Sequence, residues 1–489
     1  MLFNSFDFAI FMTLVFVLFW SVFAKTVQSR NVFLLVISYA FYAYANWKIL
    51  PLLLVSTLVF YWLGIAIHRA KNDKKKSLLT TLGIVAGVAV LMYFKYTNFF
   101  ITSFKDLFES MGMQVNIHSF NIIVPIGISF YTFRLLSYVI DINRNKYEPT
   151  QDIIAFSTYV AFFPCILSGP IDRPDTFIPQ LQSKRSLDYS LLVDGLRQIL
   201  WGFFKKMVIA DHCANIVNAV WEHHSDCSSG TLILTAVLYA FQMYADFSGY
   251  TDMAIGIAKT LGFRVTKNFN HPFLAQNVAD FWRRWHISLT SWLTDYVFMP
   301  LNVAWRNWGK FGMILAIIVD FIICGLWHGA NWTFVLWGTL HGLLFIPLIL
   351  SGIMNKKQKL ETNTLGLPTL KVFGKMLLTF VIIALGMIIF RADSIHQAVE
   401  YLSEMCSFAT IENAYEGLNQ MEVIFSICMV IGLMLYEFAM EKHSESLQTW
   451  FGNIPGIFRW FVYLLLLLSI VYLGEYGGGN ENTFIYFRF

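Results

Sequence analysis

The chain has 489 residues, of which 57% are hydrophobic, 17% are aromatic and only 13% are charged. Soluble domains carry about 25% charged residues, so this composition excludes an ordinary soluble domain and indicates a protein embedded in a membrane. The net charge of +4 comes from basic residues in loops between apolar runs, which is not the pattern of a nucleic-acid-binding protein. The six cysteines lie in apolar contexts without a CxxC pair, so we expect buried thiols and predict no metal site.

Four long apolar stretches open the chain, near residues 8–24, 31–45, 50–67 and 78–94. Each predicts a membrane-spanning helix, because about 20 apolar residues cross the hydrocarbon layer. The start, MLFNSFDFAIFM, has no basic segment before its apolar run, so we predict no cleaved signal peptide. The link HRAKNDKKK (68–76) has five Lys or Arg and one Asp, which predicts that it is cytoplasmic and that the N-terminus is outside.

The same charge rule applies near the C-terminus. The segment 355–375 has five Lys and one Glu and is predicted to be cytoplasmic, whereas 391–422 has six acidic residues and one Arg and is predicted to be outside. Spans near 422–440 and 457–474 then return the C-terminus to the outside. We find no internal repeat or soluble domain and predict one membrane domain over residues 1–489, with about ten to twelve crossings.

The middle of the chain is less regular. Residues 141–211 and 259–310 mix basic residues, prolines and aromatics, and they are too polar to span and too aromatic for ordinary loops. Interfacial helices or re-entrant segments protected by protein explain such stretches. The predicted fold class is therefore an all-α polytopic membrane protein, a multi-helix bundle with re-entrant or interfacial helices.

Histidines within apolar sequence are the first candidates for chemistry. His328 and His341 lie in CGLWHGANWTFVLWGTLHG (324–342), and ionisable residues inside the membrane usually mark function. A neutral His328 beside a glycine can act as general base towards a hydroxyl, although a hydrogen-bonded core histidine fits equally well. His341 falls on another face of a continuous helix, so we expect it to be structural.

A second candidate group lies upstream in ADFWRRWHISLTSWLTDYVFMP. His286, Arg283 and Arg284 there fit an interfacial belt of Trp and Arg, and the two arginines also fit an anionic ligand at the cytoplasmic face. Asp246 and Asp252 in YADFSGYTDMAIGIA are expected to pair with Arg264 or Lys267, or to orient a histidine. The histidines of WEHHSDC (221–227) are expected in a solvated loop rather than in a metal site.

Taken together, these motifs resemble the membrane-bound O-acyltransferase family. WHGANWTFVLWGTLHG, DFWRRWHISLTSWLTDYVFMPL and DFSGYTDMAIGIAKTLGF carry the likeness, with MLFNSFDF, YFKYTNFF, PIGISFYTF and FFPCILSGPIDRP earlier in the chain. The likeness is greatest to the bacterial branch, which includes the alginate O-acetylation membrane protein. It covers most of the chain up to about residue 345.

The resemblance implies several functional assignments. The family's essential membrane histidine corresponds to His328, and the second histidine of the bacterial branch corresponds to His286. Trp327 and Asn331, which flank His328, join Arg283 and Arg284 as candidate substrate-binding residues. The family architecture implies a central tunnel through the bundle, with acetyl-CoA as the cytosolic donor substrate, no bound cofactor, and an acceptor reached from outside.

The aromatic C-terminus, NTFIYFRF, supports two further hypotheses. It resembles a motif of this family or of its small partner proteins, in which Tyr486 receives the acyl group after a base such as His328 removes its proton. Equally, Tyr486 is an aromatic anchor at the membrane interface.

Two functions from different classes follow. The first is a membrane O-acyltransferase, most simply an O-acetyltransferase, in the bacterial cytoplasmic (inner) membrane. It would pass acetyl to a cell-envelope polysaccharide or to a separate extracytoplasmic acetyltransferase that completes the transfer. The alternative is a transporter or flippase for a glycan or lipid-linked precursor, because intramembrane Asp and His also mark proton relays; the lack of an internal repeat counts against it.

Overall fold

The computed structural model describes residues 2–114, 118–363, 367–407, 418–443, 449, 452–476 and 484. Within these ranges the chain forms helices and no β-strand, and one isolated bridge joins Thr362 to Pro368. The predicted all-α fold class is therefore confirmed. The Tyr486 hypothesis concerns a residue that lies outside the described ranges.

We number the α-helices α1–α22 in chain order and leave single π and 3-10 turns without labels. They are Phe6–Leu18, Val27–Ala45, Leu50–Arg69, Asp73–Leu91, Thr97–Ser110, Ile128–Asn143, Ile153–Ala161, Phe163–Ile166, Pro174–Gln182, Tyr189–Phe203, Asp211–Glu222, Ser229–Thr260, Val278–Trp282, Ile287–Leu293, Met299–Ala304, Gly309–His328, Trp332–Leu344, Ile346–Leu350, Leu370–Arg391, Ile395–Cys406, Gln420–His443 and Gly456–Leu473.

Nine helical segments of the described chain are long and apolar enough to cross a membrane. They support a multi-pass membrane protein, as predicted. The expected ten to twelve crossings, the external termini and the central tunnel stay predictions. The nine segments are Phe6–Phe23, Trp47–Arg69, Asp73–Ser110, Ser229–Thr260, Arg306–His328, Trp332–Leu350, Leu370–Arg391, Gln420–Lys442 and Gly456–Leu473.

Helix α2 was predicted as a span but is not among these nine segments. It carries Arg30 and Asn31, whose side chains are both only 1% exposed. Both donate hydrogen bonds to the carbonyl oxygen of Leu181, and Arg30 also donates to that of Ser183 at 2.8 Å. The polar start of this helix is thus buried in protein, where its hydrogen-bonding groups are satisfied.

The contacts group the chain into two compact units. One contains residues 1–197 and 254–266, and the other contains 198–253 and 267–489. The single domain expected over 1–489 stays a prediction. Every site residue predicted from the sequence, apart from Tyr486, lies among the described residues of the second unit.

The irregular segment 259–310 forms three short helices, α13 to α15, joined by loops and single turns. Most residues between Phe269 and Leu293 are buried. Non-helical backbone at membrane depth is tolerated only where protein or water satisfies its polar groups, and burial within the unit provides that protection here. These are the short, non-spanning helices that the mixed composition of this segment indicates.

Candidate active site

His328 is positioned by a tightly packed pair of helices. It is the last residue of α16, and α17 begins at Trp332 after a short extended link. A Cβ atom at Gly325 would collide with the carbonyl oxygen of Phe334, and one at Gly338 would collide with that of Phe321. The two helices therefore pack backbone against backbone, as small residues permit in membrane proteins.

Aromatic rings surround the His328 imidazole, which is 4% exposed. Its ring centroid lies 5.0 Å from that of Trp327, 5.3 Å from that of Trp337 and 5.1 Å from that of Phe390. A cavity of about 20 Å³, room for about one water molecule, adjoins the imidazole. It is lined by Met243, Trp285, His328, Trp337, Met387 and Phe390.

His286 is fully buried, with 0% exposure, and has a left-handed backbone conformation (φ 44°, ψ 52°). Asn268 supports this conformation, because its carbonyl oxygen and Oδ1 accept hydrogen bonds from the amides of Ile287 and Ser288 at 2.9 and 3.1 Å. Burial lowers the pKa of His286 to about 3, so its imidazole is neutral at physiological pH. Strained, buried polar residues of this kind cluster at functional sites.

The structure brings the two predicted catalytic histidines together through Trp327. The His286 ring lies 5.8 Å from the Trp327 ring, and Trp327 directly precedes His328 on α16. Phe247 of α12 covers another side of His286, with its ring 4.7 Å away and nearly perpendicular. His328, His286 and Trp327 therefore form one buried cluster.

His341 is a satisfied core residue, consistent with the structural role expected for it. It is 2% exposed, and its Nδ1 accepts a hydrogen bond of 3.3 Å from Nε1 of Trp282. The helix is not continuous between the two histidines, since it breaks between α16 and α17 at residues 329–331. The reason given from a continuous helix, that the two histidines lie on different faces, therefore does not apply. The structural role of His341 stays a prediction, which its burial and its hydrogen bond with Trp282 support.

The side chains of Arg283, Arg284 and Asn331, the remaining candidates, form ion pairs or hydrogen bonds within the protein. Arg284 contacts Asp280 and Glu441 at 3.2 and 3.0 Å, whereas Arg283 is 41% exposed and donates to the carbonyl of Met354 at 2.9 Å. Asn331 accepts a bond from Thr333 at the start of α17 and donates to the carbonyl of Asp393. Arg283 is thus the more accessible arginine for an anionic ligand, and the substrate-binding roles of all these residues stay predictions.

The direct ion-pair contacts of the α12 aspartates are with residues other than the expected Arg264 or Lys267, and the charge of Lys267 interacts with Asp252 from a greater distance. Lys206 contacts Asp246 at 2.7 Å and Asp211 at 2.8 Å, and Lys205 contacts Asp252 at 2.5 Å. A wide π turn at Phe204–Ala210 carries both lysines into the protein. Burial lowers the pKa of Lys206, but the carboxylates of Asp246 and Asp211 raise it more, so it exceeds the ordinary lysine value. Lys205 and Lys206 are 40 or more residues away from Asp246 and Asp252 in sequence, which is why spacing did not reveal these pairs.

Phe484, near the C-terminus, packs against this ion cluster. Phe484 is 1% exposed; its ring lies 5.1 Å from that of Tyr250, and Nζ of Lys206 lies 4.6 Å from its centroid. Tyr250 is three residues after Phe247 on α12 and therefore on the same helix face. Residue 484 thus packs about one helical turn from the ring that covers His286.

Sequence reasoning did not single out Lys205, Lys206, Glu437 or Phe484. Glu437 is 3% exposed in an apolar stretch of α21 and accepts a hydrogen bond from the Tyr244 hydroxyl. The sequence does offer a signal for Lys205, Lys206 and Glu437, because charged residues within apolar sequence mark function or pairing in a membrane protein. It does not show their partners, most of which come from segments distant in sequence.

Comparison with known proteins identifies the class. The family model described as MBOAT, the membrane-bound O-acyltransferase family, matches residues 39–364, and the chain belongs to this family. It is 37% identical over 385 residues to the probable alginate O-acetylase of Pseudomonas aeruginosa, covering 78% of this chain and 70% of that protein. It is 30% identical over 522 aligned positions to the peptidoglycan O-acetyltransferase of Helicobacter pylori, covering 96% and 93%.

A third relative transfers a different acyl group. The teichoic acid D-alanyltransferase of Bacillus subtilis is 30% identical over 286 residues, which covers 56% of this chain and 71% of that protein. The family and these relatives agree on the class of reaction and differ in acyl group and acceptor. The chain is therefore a membrane O-acyltransferase, which is the first of the two functions predicted from its sequence.

Proposed function

We propose that this protein is an O-acetyltransferase of the bacterial cytoplasmic (inner) membrane that serves a cell-envelope polysaccharide. The observation that carries the proposal is the buried cluster of His328, Trp327 and His286 beside a small cavity. Two relatives with high coverage of this chain are named for acetyl transfer to alginate and to peptidoglycan. Acetyl is therefore a better supported acyl group than D-alanine.

His328 is the general base in this proposal. Its imidazole takes the proton of an acceptor hydroxyl, the oxygen attacks the thioester carbonyl of acetyl-CoA, and the thiol of CoA leaves with a proton. The aromatic rings around His328 keep bulk water away and so limit hydrolysis of the thioester. The cavity beside the imidazole has room for a group of about the size of a water molecule, and a larger substrate requires the lining side chains to move.

His286 acts beside His328 as the residue that positions or shares the proton. Its low pKa keeps it neutral, so it can both donate and accept one hydrogen bond. Both rings contact the Trp327 indole, with centroid distances of 5.8 Å for His286 and 5.0 Å for His328. The acceptor is an extracytoplasmic polysaccharide hydroxyl, reached directly or through a separate extracytoplasmic acetyltransferase.

Tyr486 is the proposed acyl carrier in the route through a partner. The burial of Phe484 against Tyr250 and Lys206 supports it, because residue 484 packs near the ring that covers His286. Acetyl would pass from CoA to the Tyr486 oxygen with loss of the phenolic proton to His328. The partner would then move acetyl from that ester to a sugar hydroxyl and regenerate the phenol.

The first experiment measures acetate that base releases from purified envelope glycans. Cells carrying the protein are compared with cells lacking it and with cells carrying His328→Ala at an equal membrane level. His396→Ala is the control, because its side chain is 81% exposed and pairs only with Glu400 among the described residues. We expect ester acetate in the wild type and in the control alone, and unchanged acetate in all strains would refute acetylation by this chain.

The carrier role needs a separate test. Tyr486→Phe keeps the aromatic ring for membrane anchoring but removes the nucleophilic oxygen. We expect loss of glycan acetate with an unchanged protein level, and an acetyl ester on the C-terminal peptide of the wild type by mass spectrometry. Normal acetylation by Tyr486→Phe would eliminate the carrier role and leave the base role of His328 intact.

A further inference from the structure

We propose that His212, Glu422 and Glu475 form a binding site for a divalent transition metal, separate from the residues of the proposed reaction. One ligand atom from each of the three residues lies within 4.8 Å of the other two. His212 is near the start of α11, Glu422 is near the start of α21, and Glu475 follows the end of α22. A metal there would connect three segments that are far apart in sequence.

The tautomer of His212 directs a lone pair at the two carboxylates. Its Nε2 lies 2.7 Å from the carbonyl oxygen of Leu473. Because a carbonyl can only accept, Nε2 carries the proton, and such a bond to a carbonyl is how metal-binding histidines are commonly oriented. Nδ1 is buried, has no hydrogen-bond partner among the residues that the structure describes, and lies 3.8 Å from Glu422 Oε1 and 3.9 Å from Glu475 Oε1.

Those distances fit a shared metal better than direct hydrogen bonds. A proton on Nδ1 would need an acceptor within about 3.2 Å, and neither oxygen is that close. Ligand atoms about 2.1 Å from a tetrahedral metal are themselves about 3.4 Å apart. Inward shifts of about 0.5 Å would therefore place the three atoms around one ion.

The charge of the cluster also favours a cation. Two carboxylates face each other in a partly buried position, where their side chains are 26% and 34% exposed. Among the described residues, His212 is the only basic group within 4 Å of either carboxylate. Asn215 donates to Glu422 at 3.0 Å and to Glu475 at 3.2 Å, which orients the oxygens without neutralising them.

Packing holds the ligands in place. The amide of Glu475 donates to the carbonyl of Met207 at 3.2 Å, and Met207 packs with Val208 and Ile470 in a small hydrophobic core. The ring of Phe425 in α21 lies 4.8 Å from that of His212. One imidazole and two carboxylates suit Zn²⁺ or Mn²⁺, with remaining positions open to water.

The test uses the full chain, purified in detergent without a histidine tag, stripped with a chelator and desalted after incubation with Zn²⁺. Metal content is measured by mass spectrometry, and the melting temperature is measured with and without Zn²⁺. We expect about one Zn²⁺ per chain and a higher melting temperature in the wild type. His212→Ala and the isosteric Glu475→Gln should each lose at least ten-fold in affinity, with no Zn²⁺-dependent rise in melting temperature.

His224→Ala is the matched control, because His224 also pairs with a carboxylate, that of Glu404 at 2.6 Å, but belongs to no group of three such ligands in the described part of the chain. It should bind Zn²⁺ as the wild type does. The proposal is overturned if the wild type retains no stoichiometric Zn²⁺, or if His212→Ala or Glu475→Gln binds as tightly as the control. Metal content is independent of acetyl transfer, so this outcome and that of the proposed function are separate.

Discussion

Gly342→Ala tests whether the close contact between α16 and α17 holds the region of His328. A Cβ atom at Gly342 would lie 2.8 Å from the Cα atom of Ile318, a backbone atom of the facing helix. Carbon atoms in contact prefer about 3.5 Å or more, so the helices must separate locally by about 0.7 Å. A flexible side chain could rotate away, but a packed backbone cannot.

The expected cost follows from two opposing effects. Overpacking of a well-packed interior costs about 1–3 kcal/mol, whereas replacing Gly by Ala within a helix gains up to about 1 kcal/mol from propensity. Gly374→Ala in α19 isolates the second effect, since no atom of a neighbouring described residue lies within 4 Å of its added Cβ. We expect Gly342→Ala to be less stable than Gly374→Ala by about 2 kcal/mol.

Thermal unfolding in one detergent, followed by circular dichroism, measures this difference. Gly342→Ala should melt at a lower temperature than the wild type, and Gly374→Ala at the same or a higher temperature. Glycan acetate should also fall in Gly342→Ala cells at an equal protein level, because α16 ends at His328. Equal melting temperatures for the two variants would show that the helices yield at this contact, and the backbone-packing explanation would then be wrong.

Three further predictions concern buried charge and protonation. Because the pKa of folded His286 is about 3 and that of an unfolded histidine is about 6.5, the unfolded chain binds an extra proton between these values. The free energy of unfolding should therefore fall on acidification through this window by up to about 1.4 kcal/mol per pH unit. In His286→Asn, whose asparagine tolerates the left-handed backbone, chemical unfolding should show a weaker dependence of this free energy on pH. An unchanged pH dependence would contradict the lowering of the His286 pKa by burial. Lys206→Met leaves Asp246 and Asp211 without their cation and should lower the free energy of unfolding by about 3–5 kcal/mol. Lys105→Met removes an exposed pair with Glu109 and should change it by less than about 1 kcal/mol. Similar melting temperatures for the two variants would count against a structural role of the buried ion pairs. Arg284→Met should destabilise the protein far more than Arg283→Met, because Arg284 contacts the carboxylates of Asp280 and Glu441 at 3.2 and 3.0 Å, whereas Arg283 is 41% exposed and lies 4.0 Å from Asp280. The reverse order of melting temperatures would contradict this explanation.

Much of the architecture is readable from local sequence. Apolar length and loop charge predict helices at the N-terminus, and helices occur at all four stretches. The polar residues at the start of α2 lower its hydropathy, which places this helix outside the set of spanning candidates. What local sequence does not predict is that Arg30 and Asn31 pack against Leu181. Hydropathy averages over a window, whereas a buried polar side chain is satisfied by particular carbonyl groups elsewhere in the chain.

The candidate site, like the fold, is only partly predictable from the sequence. His328 is a candidate from the sequence alone, because burying a histidine in the membrane costs free energy. His286 becomes a candidate through the family motif around it. Their common contact with Trp327, the partners of Asp246 and Asp252, and the cluster of His212 with Glu422 and Glu475 depend on segments far apart in the chain.

By itself, then, the sequence determined the membrane environment, the helical class and the family, and it predicted His328 as the general base. Each of these properties depends on composition, on local periodicity or on short motifs. Only the tertiary structure decided which carboxylate meets which lysine, which arginine is accessible, and where glycines allow two backbones to touch. The physical reason is range: hydrophobicity and helix propensity act along a few turns of chain, whereas ion pairs, ring contacts and ligand sets require atoms within a few ångströms in space.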